Sequence, residues 1–207
     1  MYYHASPIGG ITRLKPHISN HGIPLIYFSA KRENVLVYLS NSVEKFCRET
    51  GFVHKGKYQK WGPYGFDKDG RQRLEEYYPN ALASTYKGVS GYIYFTETII
   101  PSDFALQIPD AAASSEPVDI AGAEFVPDAY EAILQAEREG LLTILRYEEM
   151  SDEMRRWNEK TIVRGRFRTP GVQTFFEGKL SGDSQWRLTP LCAAYENPVQ
   201  GTALDRV

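Results

Sequence analysis

The sequence predicts an α+β protein with mainly antiparallel strands. Short β-rich runs bounded by Gly, Pro and Asn recur along the chain. Only a few helical patterns separate them, and their spacing lacks the regular strand–helix alternation of a doubly wound sheet. No GxGxxG sequence opens a helix after a strand, so a Rossmann nucleotide site is not expected.

The chain length is that of one domain with a tail. Its 207 residues are 42% hydrophobic and 24% charged, an ordinary globular composition. We expect one domain over 1–150, interrupted by an aromatic insertion at 51–90, and a C-terminal helix and tail over 151–207. The insertion is dense in turn formers and aromatics, which is typical of an ordered functional loop. Within it, Asp67 to Gly70 lacks the later carboxylates of a calcium loop, so no metal site is predicted.

Charge and hydropathy exclude several classes of protein. A formal net charge of −2 gives no global attraction to nucleic acid or to an anionic membrane, so a nucleic-acid partner is not indicated. No apolar stretch reaches the roughly 18 residues of a membrane helix, and no basic region followed by an apolar run marks the start of the chain. Cys47 and Cys192 lie far apart and are expected to be free thiols. These observations favour a cytoplasmic protein without a membrane partner.

Strands are expected where β-branched and aromatic residues cluster between turn formers. The segment Ala111–Ser115, by contrast, is expected to be a loop of small residues. The predicted strands are Tyr2–Ser6, Pro24–Ser29, Gly91–Thr96, Pro117–Ile120, Ala123–Val126 and Leu141–Tyr147.

Three helices are predicted from apolar periodicity and end signals. The first is an amphipathic helix over Ala30–Glu49. The second begins with Pro127 at its first position and ends at Gly140. The third is capped by Ser151, carries acidic residues in its first turn and continues to about Val163.

The candidate functional residues form a motif near the start of the chain. His4 ends the first predicted strand in the run Tyr-His-Ala-Ser, Tyr27 lies in the second predicted strand, and Tyr38 follows Tyr27 by eleven residues. This pattern resembles the His-Tyr-acid signature of the diphtheria-toxin-like ADP-ribosyltransferases. That branch includes poly(ADP-ribose) polymerases and the small rifampin ADP-ribosyltransferases.

Later segments extend the resemblance. The strand at 91–97 and the segment 116–120, followed by the helix that begins at Pro127, look like the later strands of the rifampin-type enzymes. The similarity covers roughly residues 2–147 in order. It implies an ADP-ribosyltransferase-like fold of split antiparallel β-sheets with flanking helices. It also implies an enzyme that binds NAD as a substrate and moves ADP-ribose to an acceptor.

The resemblance assigns roles around NAD. His4 would hydrogen-bond the adenine-side ribose, Ala5 would offer its backbone N–H and C=O to the nicotinamide amide, and Ser6 completes this part of the site. Tyr27 and Tyr38 would sandwich the nicotinamide ring, a stacking task that aromatic faces perform at low entropic cost. All three aromatic side chains are therefore expected to line one cleft.

The resemblance also calls for an acid beside the nicotinamide ribose, because cleavage passes through an oxocarbenium-like state. Glu116 is favoured for this role, which makes His4, Tyr27 and Glu116 the predicted catalytic residues, and Asp103 is the alternative. Two positions depart from the family pattern. Ala5 replaces the usual Gly, and Val35 stands where the polymerases place a serine.

Other interpretations of these residues remain open. His4, Tyr27 and Tyr38 could be structural, and the chain could be a catalytically silent module that binds ADP-ribose, NAD or a protein. The basic residues from 155 to 168 could contact a nucleic-acid acceptor or form a solvated face. The acceptor could be a protein, a nucleic acid or a small molecule, in the service of a toxin, antibiotic modification or regulation.

Overall fold

The computed structural model describes residues 1–18, 22–40, 64–104 and 106–158. Within them the chain is a mixture of helices and mainly antiparallel strands, as the sequence predicts. The strands are β1 (Tyr2–Ser6), β2 (Arg13–Leu14), β3 (His17–Ile18), β4 (Pro24–Ser29), β5 (Tyr64–Phe66), β6 (Gln72–Glu75), β7 (Gly91–Thr96), β8 (Ala111–Ser114), β9 (Val118–Asp119), β10 (Gly122–Val126) and β11 (Thr143–Leu145).

Helices are short and fewer than strands in this part of the chain. The two 3-10 helices are η1 (Glu33–Tyr38) and η2 (Tyr147–Glu149), and the α-helices are α1 (Ala81–Tyr86), α2 (Ala129–Arg138) and α3 (Asp152–Asn158). Over the ranges that the structure describes, we find no helix with the length and hydropathy needed to cross a lipid bilayer.

The central sheet is antiparallel and has six strands in the described residues. Its order is β10-β7-β1-β4-β3, and β8 also pairs with β4. A second sheet has the order β11-β6-β5, in which β5 and β6 are antiparallel and β11 lies parallel to β6. β2 and β9 form a separate two-stranded ribbon.

The central sheet has two differently covered faces. Alternation along β1 sends Tyr3 and Ala5 to one face and Tyr2 and His4 to the other. Ala5 belongs to the main hydrophobic core, which includes residues of η1 and α2, and we call this side the helix face. Tyr2 packs with Phe28 and with residues of the β2–β9 ribbon, and we call this side the ribbon face.

The described part of the insertion is a folded unit. The prediction of a loop is wrong for residues 64–90, which contain two strands and a helix. The strands β5 and β6 form a hairpin, whose turn is built by Asp67, and α1 follows. The Asp67 carboxylate accepts bonds from the backbone N–H groups of Asp69 and Arg71, each at 2.9 Å. Apolar residues of this unit lie in the main core together with residues of η1 and α2. They are Leu74, Leu82, Tyr86 and Val89.

Two other local predictions need correction. Ala111–Ser114 is strand β8 rather than a loop, since pairing with β4 over four residues outweighs the low strand propensity of alanine. The predicted helix over Ala30–Glu49 is present only as η1. The chain leaves the helix at Leu39, whose side chain is buried, and residues 41–49 lie outside the described ranges.

The helix after β10 begins later than predicted. Pro127 is not its first residue, because Asp128 is the N-cap and accepts the N–H of Tyr130 at 2.9 Å. Gly140 closes the helix with a φ of +71°, as expected for a left-handed residue at this position.

After α2, the structure agrees with the sequence-based predictions in part. The strand predicted over Leu141–Tyr147 is present as the shorter β11, and η2 follows it. The predicted cap of the next helix is confirmed, since the Ser151 hydroxyl accepts the N–H of Met154 at 3.2 Å. The remainder of that helix, and the tail to residue 207, lie outside the described residues.

Candidate functional site

His4, Ala5 and Ser6 lie beside a gap between β1 and β4. Both strands are fully described, yet Tyr3 and Ser29 are the one residue pair at which they are in register. On its other edge β1 pairs with β7 along its whole length, from Tyr2 with Thr96 to Ser6 with Tyr92. The ladder between β1 and β4 therefore ends after Tyr3, and the last three residues of β1 lie beside the gap.

The side chain of His4 bridges this gap. Its Nδ1 atom lies 2.9 Å from the backbone carbonyl oxygen of Tyr27. Because a carbonyl oxygen only accepts, Nδ1 must carry the hydrogen and donate. In a neutral ring this leaves Nε2 as the acceptor nitrogen. The bond thus fixes both the orientation of the imidazole and its tautomer.

The rings of His4 and Tyr27 belong to opposite faces of the sheet. The half-buried imidazole lies 6.0 Å from the ring of Phe28, on the ribbon face. Tyr27 precedes Phe28 in β4, so strand alternation directs its ring to the helix face. The side chains of His4 and Tyr27 therefore do not line one wall, contrary to the expectation that they share one cleft.

Tyr27 and Tyr38 lie together on the helix face. Partial burial raises the pKa of Tyr38 above its ordinary value, and the neighbouring Tyr64, then Tyr86 and then Tyr27 raise it further. Tyr38 is the last residue of η1 and is 42% exposed, which leaves part of its ring accessible. The resemblance assigns this pair of tyrosines to stacking on nicotinamide.

A further tyrosine, Tyr64, completes this aromatic group and was not predicted as a site residue. The hydroxyl groups of Tyr38 and Tyr64 are 2.9 Å apart, and their rings meet edge to face at 6.2 Å. Phe66 in turn packs edge-on against Tyr64 at 6.1 Å. The concentration of aromatics in the insertion was the available signal, but sequence alone does not show which of them reaches Tyr38.

Tyr86 supports η1 from the core. It is buried, and its hydroxyl donates to the carbonyl of Val37 at 3.4 Å. Burial raises the pKa of Tyr86 strongly, so this hydroxyl stays protonated at physiological pH. Its role is to hold the end of η1 on which Tyr38 lies.

Ala5 and Ser6 are buried beside the gap. The side chain of Ala5 is part of the main core, so a ligand could meet this residue only through its backbone. The Ser6 hydroxyl accepts the N–H of Ile8 at 3.2 Å and shapes the turn that follows β1. Val35 is 2% exposed and packs in the core, so it does not take the ligand-facing place of the polymerase serine.

The two candidate acids lie beyond β4 as seen from His4. Ser29 pairs with both Tyr3 of β1 and Ala111 of β8, so these strands flank β4 on opposite edges. Two strand spacings, about 10 Å, therefore separate β1 from β8. Glu116 lies exposed in the turn after β8 rather than at the start of a strand.

Asp103 is also exposed and lies next to β8, since the N–H of Ser102 donates to the carbonyl of Ala113 at 2.8 Å. Within the described part of the chain, neither the Asp103 nor the Glu116 carboxylate forms a hydrogen bond or an ion pair with a side chain. The structure thus joins the His4 side chain to the Tyr27 backbone across the gap, places Tyr38 near Tyr27 on the helix face and leaves both acids on neighbouring loops.

Of the two described residues of the basic run, Arg155 is used within the chain and Arg156 is exposed. The Arg155 guanidinium lies 4.9 Å from the centre of the Tyr147 ring and donates to the carbonyls of Tyr147 and Glu148. It also lies 3.7 Å from the Asp152 carboxylate. The basic residues from 160 to 168 lie outside the described ranges.

Comparisons with protein-family models, with curated proteins and with solved structures give no match to this chain.

Proposed function

We propose that this protein is an NAD-dependent ADP-ribosyltransferase with the split antiparallel sheets of that superfamily. The observation that carries the proposal is the hydrogen bond from His4 to the Tyr27 carbonyl across the gap between β1 and β4. This bond ties the two halves of the sequence motif together at the place where the sheet ladder opens. A central antiparallel sheet with few helices is compatible with the expected fold.

Cleavage of NAD requires that the nicotinamide ring, which leaves, and the ribose attached to it are both held in place. In this proposal NAD binds across this end of β1 and β4, with its adenine-side ribose near the imidazole and its nicotinamide near the two phenol rings. The acceptor nitrogen of the neutral imidazole would take a hydrogen bond from a ribose hydroxyl. Tyr27 and Tyr38 would stack on nicotinamide, and the backbone of Ala5 would bind its carboxamide.

The acid of the reaction would come from a loop next to β8. Glu116 remains the first candidate and Asp103 the second, because both are exposed carboxylates on segments adjoining the strand that pairs with Tyr27. A carboxylate that approaches the ribose would stabilise the cation that develops as nicotinamide leaves.

Nicotinamide release from NAD tests the proposal. The purified protein should release nicotinamide in the presence of candidate acceptors of each class, and His4→Ala should abolish the release. Glu116→Gln and Asp103→Asn identify the acid. The substitution that removes it should lower kcat by about 100-fold or more. Glu131→Gln, an exposed glutamate on α2, is the matched control and should leave the rate unchanged. Equal rates in wild type and His4→Ala would refute the site.

A second candidate function is a silent module that binds ADP-ribose or NAD at the same place. The observation that favours it is the position of the two acids, since Glu116 and Asp103 adjoin β8, which lies two strand spacings from β1. Such a module should melt at a higher temperature as NAD or ADP-ribose is added, without releasing nicotinamide. Release of nicotinamide that depends on His4 would exclude this alternative.

A further inference from the structure

Tyr38 is weakly held by its own helix. It is the last residue of η1 and is 42% exposed, and Leu39 after it has left the helical conformation. A tyrosine ring at such a helix end can adopt several orientations, and ordering it on ligand binding costs free energy. A ring that must stack on a ligand gains from being fixed beforehand.

Tyr64 supplies contacts that fix this ring. The hydroxyl of Tyr38 lies on the axis about which the ring rotates, so its 2.9 Å bond to the Tyr64 hydroxyl fixes where the ring points. The bond alone leaves rotation about that axis free. The edge-to-face contact with the Tyr64 ring, at 6.2 Å, restricts that rotation as well.

The hairpin that carries Tyr64 is itself anchored to η1. In β6, the buried side chain of Gln72 donates through Nε2 to the carbonyl of Asn34 at 3.2 Å. Leu74 of the same strand pairs with Tyr64 and is buried in the main core. Tyr64 therefore reaches Tyr38 from an element that is fixed on the same helix, not from a separate loop.

We infer that Tyr64 is a positioning residue of the proposed NAD site, which holds the Tyr38 ring in the orientation that stacks on nicotinamide. The inference rests on the proposed function and deepens it. The hairpin within the insertion becomes part of the wall of the site. Tyr64 acts through Tyr38, so its loss should weaken NAD binding without changing the chemical step.

A double-mutant cycle on the two hydroxyl groups tests the inference. The variants are Tyr64→Phe, Tyr38→Phe and the pair combined, and NAD binding is measured by titration calorimetry. Each single variant loses the same hydrogen bond and should raise the Kd for NAD about 3- to 10-fold. The double variant should bind as weakly as either single variant, because one bond is lost in all three.

Tyr147→Phe is the matched control. Tyr147 begins η2, and its ring lies 4.9 Å from the Arg155 guanidinium. This variant removes one phenol hydroxyl outside the Tyr38–Tyr64 pair and outside the residues of the proposed site, and its Kd for NAD should equal that of the wild type.

Steady-state kinetics separate a positioning role of Tyr64 from a purely structural role. Tyr64→Phe should raise KM for NAD and leave kcat unchanged, whereas partial unfolding would lower kcat in proportion to the folded fraction and leave KM unchanged. An unchanged Kd in Tyr64→Phe, or losses that multiply in the double variant, would overturn the inference while the proposed function stands. A wild-type protein that binds no NAD would overturn both.

Discussion

The imidazole of His4 and the main-chain carbonyl of Tyr27 are joined by a 2.9 Å hydrogen bond that crosses the gap between β1 and β4. It lies one residue beyond the last register pair of these strands, Tyr3 with Ser29. A side-chain hydrogen bond thus connects the two strands where their backbone pairing ends. The bond therefore links β1 to β4 at a point where they share no register pair.

Replacing His4 should therefore affect stability as well as activity. His4→Ala removes the bond to Tyr27 and should lower the free energy of unfolding by about 1 kcal/mol, the usual net contribution of one hydrogen bond. Urea denaturation at pH 7 measures this change. A variant as stable as the wild type would show that the bond does not hold the strands together.

The ion pair between Arg32 and Glu124 joins the start of η1 to strand β10. The Arg32 guanidinium binds the carboxylate through two nitrogens, with Nε at 2.7 Å from Oε2. The bond to Arg32 lowers the pKa of the Glu124 carboxyl below its ordinary value. Because both side chains are partly exposed, Glu124→Gln should cost no more than about 1 kcal/mol at pH 7.

The pH dependence of this cost follows from the direction of the pKa shift. A carboxyl whose pKa is lower in the folded state adds stability above its unfolded pKa, and this stability is lost as the pH falls through the folded pKa. The difference between wild type and Glu124→Gln should therefore begin to shrink as the pH falls towards the ordinary value of 4.5, and vanish only below the lower folded pKa. Urea denaturation at pH 7 and at pH 3 checks this. A cost at pH 3 as large as the cost at pH 7 would show that charge is not its source.

Gly91 allows β7 to pack closely on the turn after Tyr38. A Cβ atom at this position would lie 2.6 Å from Cδ2 of Leu39 and 3.0 Å from the carbonyl oxygen of Ser6. Leu39 is buried and has little room to move, so Gly91→Ala should destabilise the fold by about 1–3 kcal/mol. Thermal unfolding measures the loss.

Gly65 is the matched control for this substitution. A Cβ atom there has Oε1 of Glu75 as its nearest neighbour, at 3.8 Å, which is ordinary contact. Gly65→Ala should change stability by less than about 0.5 kcal/mol. If both variants lost the same stability, crowding at Leu39 would not be the cause.

The strands around the site were predictable because local patterns agree with their environment. Tyr2–Ser6, Pro24–Ser29 and Gly91–Thr96 are rich in aromatic and β-branched residues and end at turn formers, and all three strands have these bounds in the structure. The small residues at 111–114 carry no such signal. They form β8 only because the edge of β4 provides backbone partners, which is a tertiary effect.

For the same reason, the residues of the candidate site could be predicted from the sequence only in part. The offset of eleven residues between Tyr27 and Tyr38 is visible in the sequence, but the contact with Tyr64 depends on how the hairpin packs on η1. Likewise, the sequence shows that His4 and Tyr27 lie in strands. It does not show that the ladder between these strands ends after Tyr3. Pairing register is set by the whole fold and not by either strand alone.

Asp128 provides a test of how the helix after β10 begins. Its carboxylate accepts the N–H groups of Tyr130 at 2.9 Å and Glu131 at 3.4 Å, and it also accepts the N–H of Gly88 at 2.9 Å from the segment before β7. Asp128→Ala leaves these donors without a side-chain partner and should lower the free energy of unfolding by about 1–2 kcal/mol. Asp128→Asn keeps an acceptor oxygen and should lose less than half as much. Equal losses in the two variants, measured by urea denaturation, would show that the charge near the helix dipole matters more than the cap bonds.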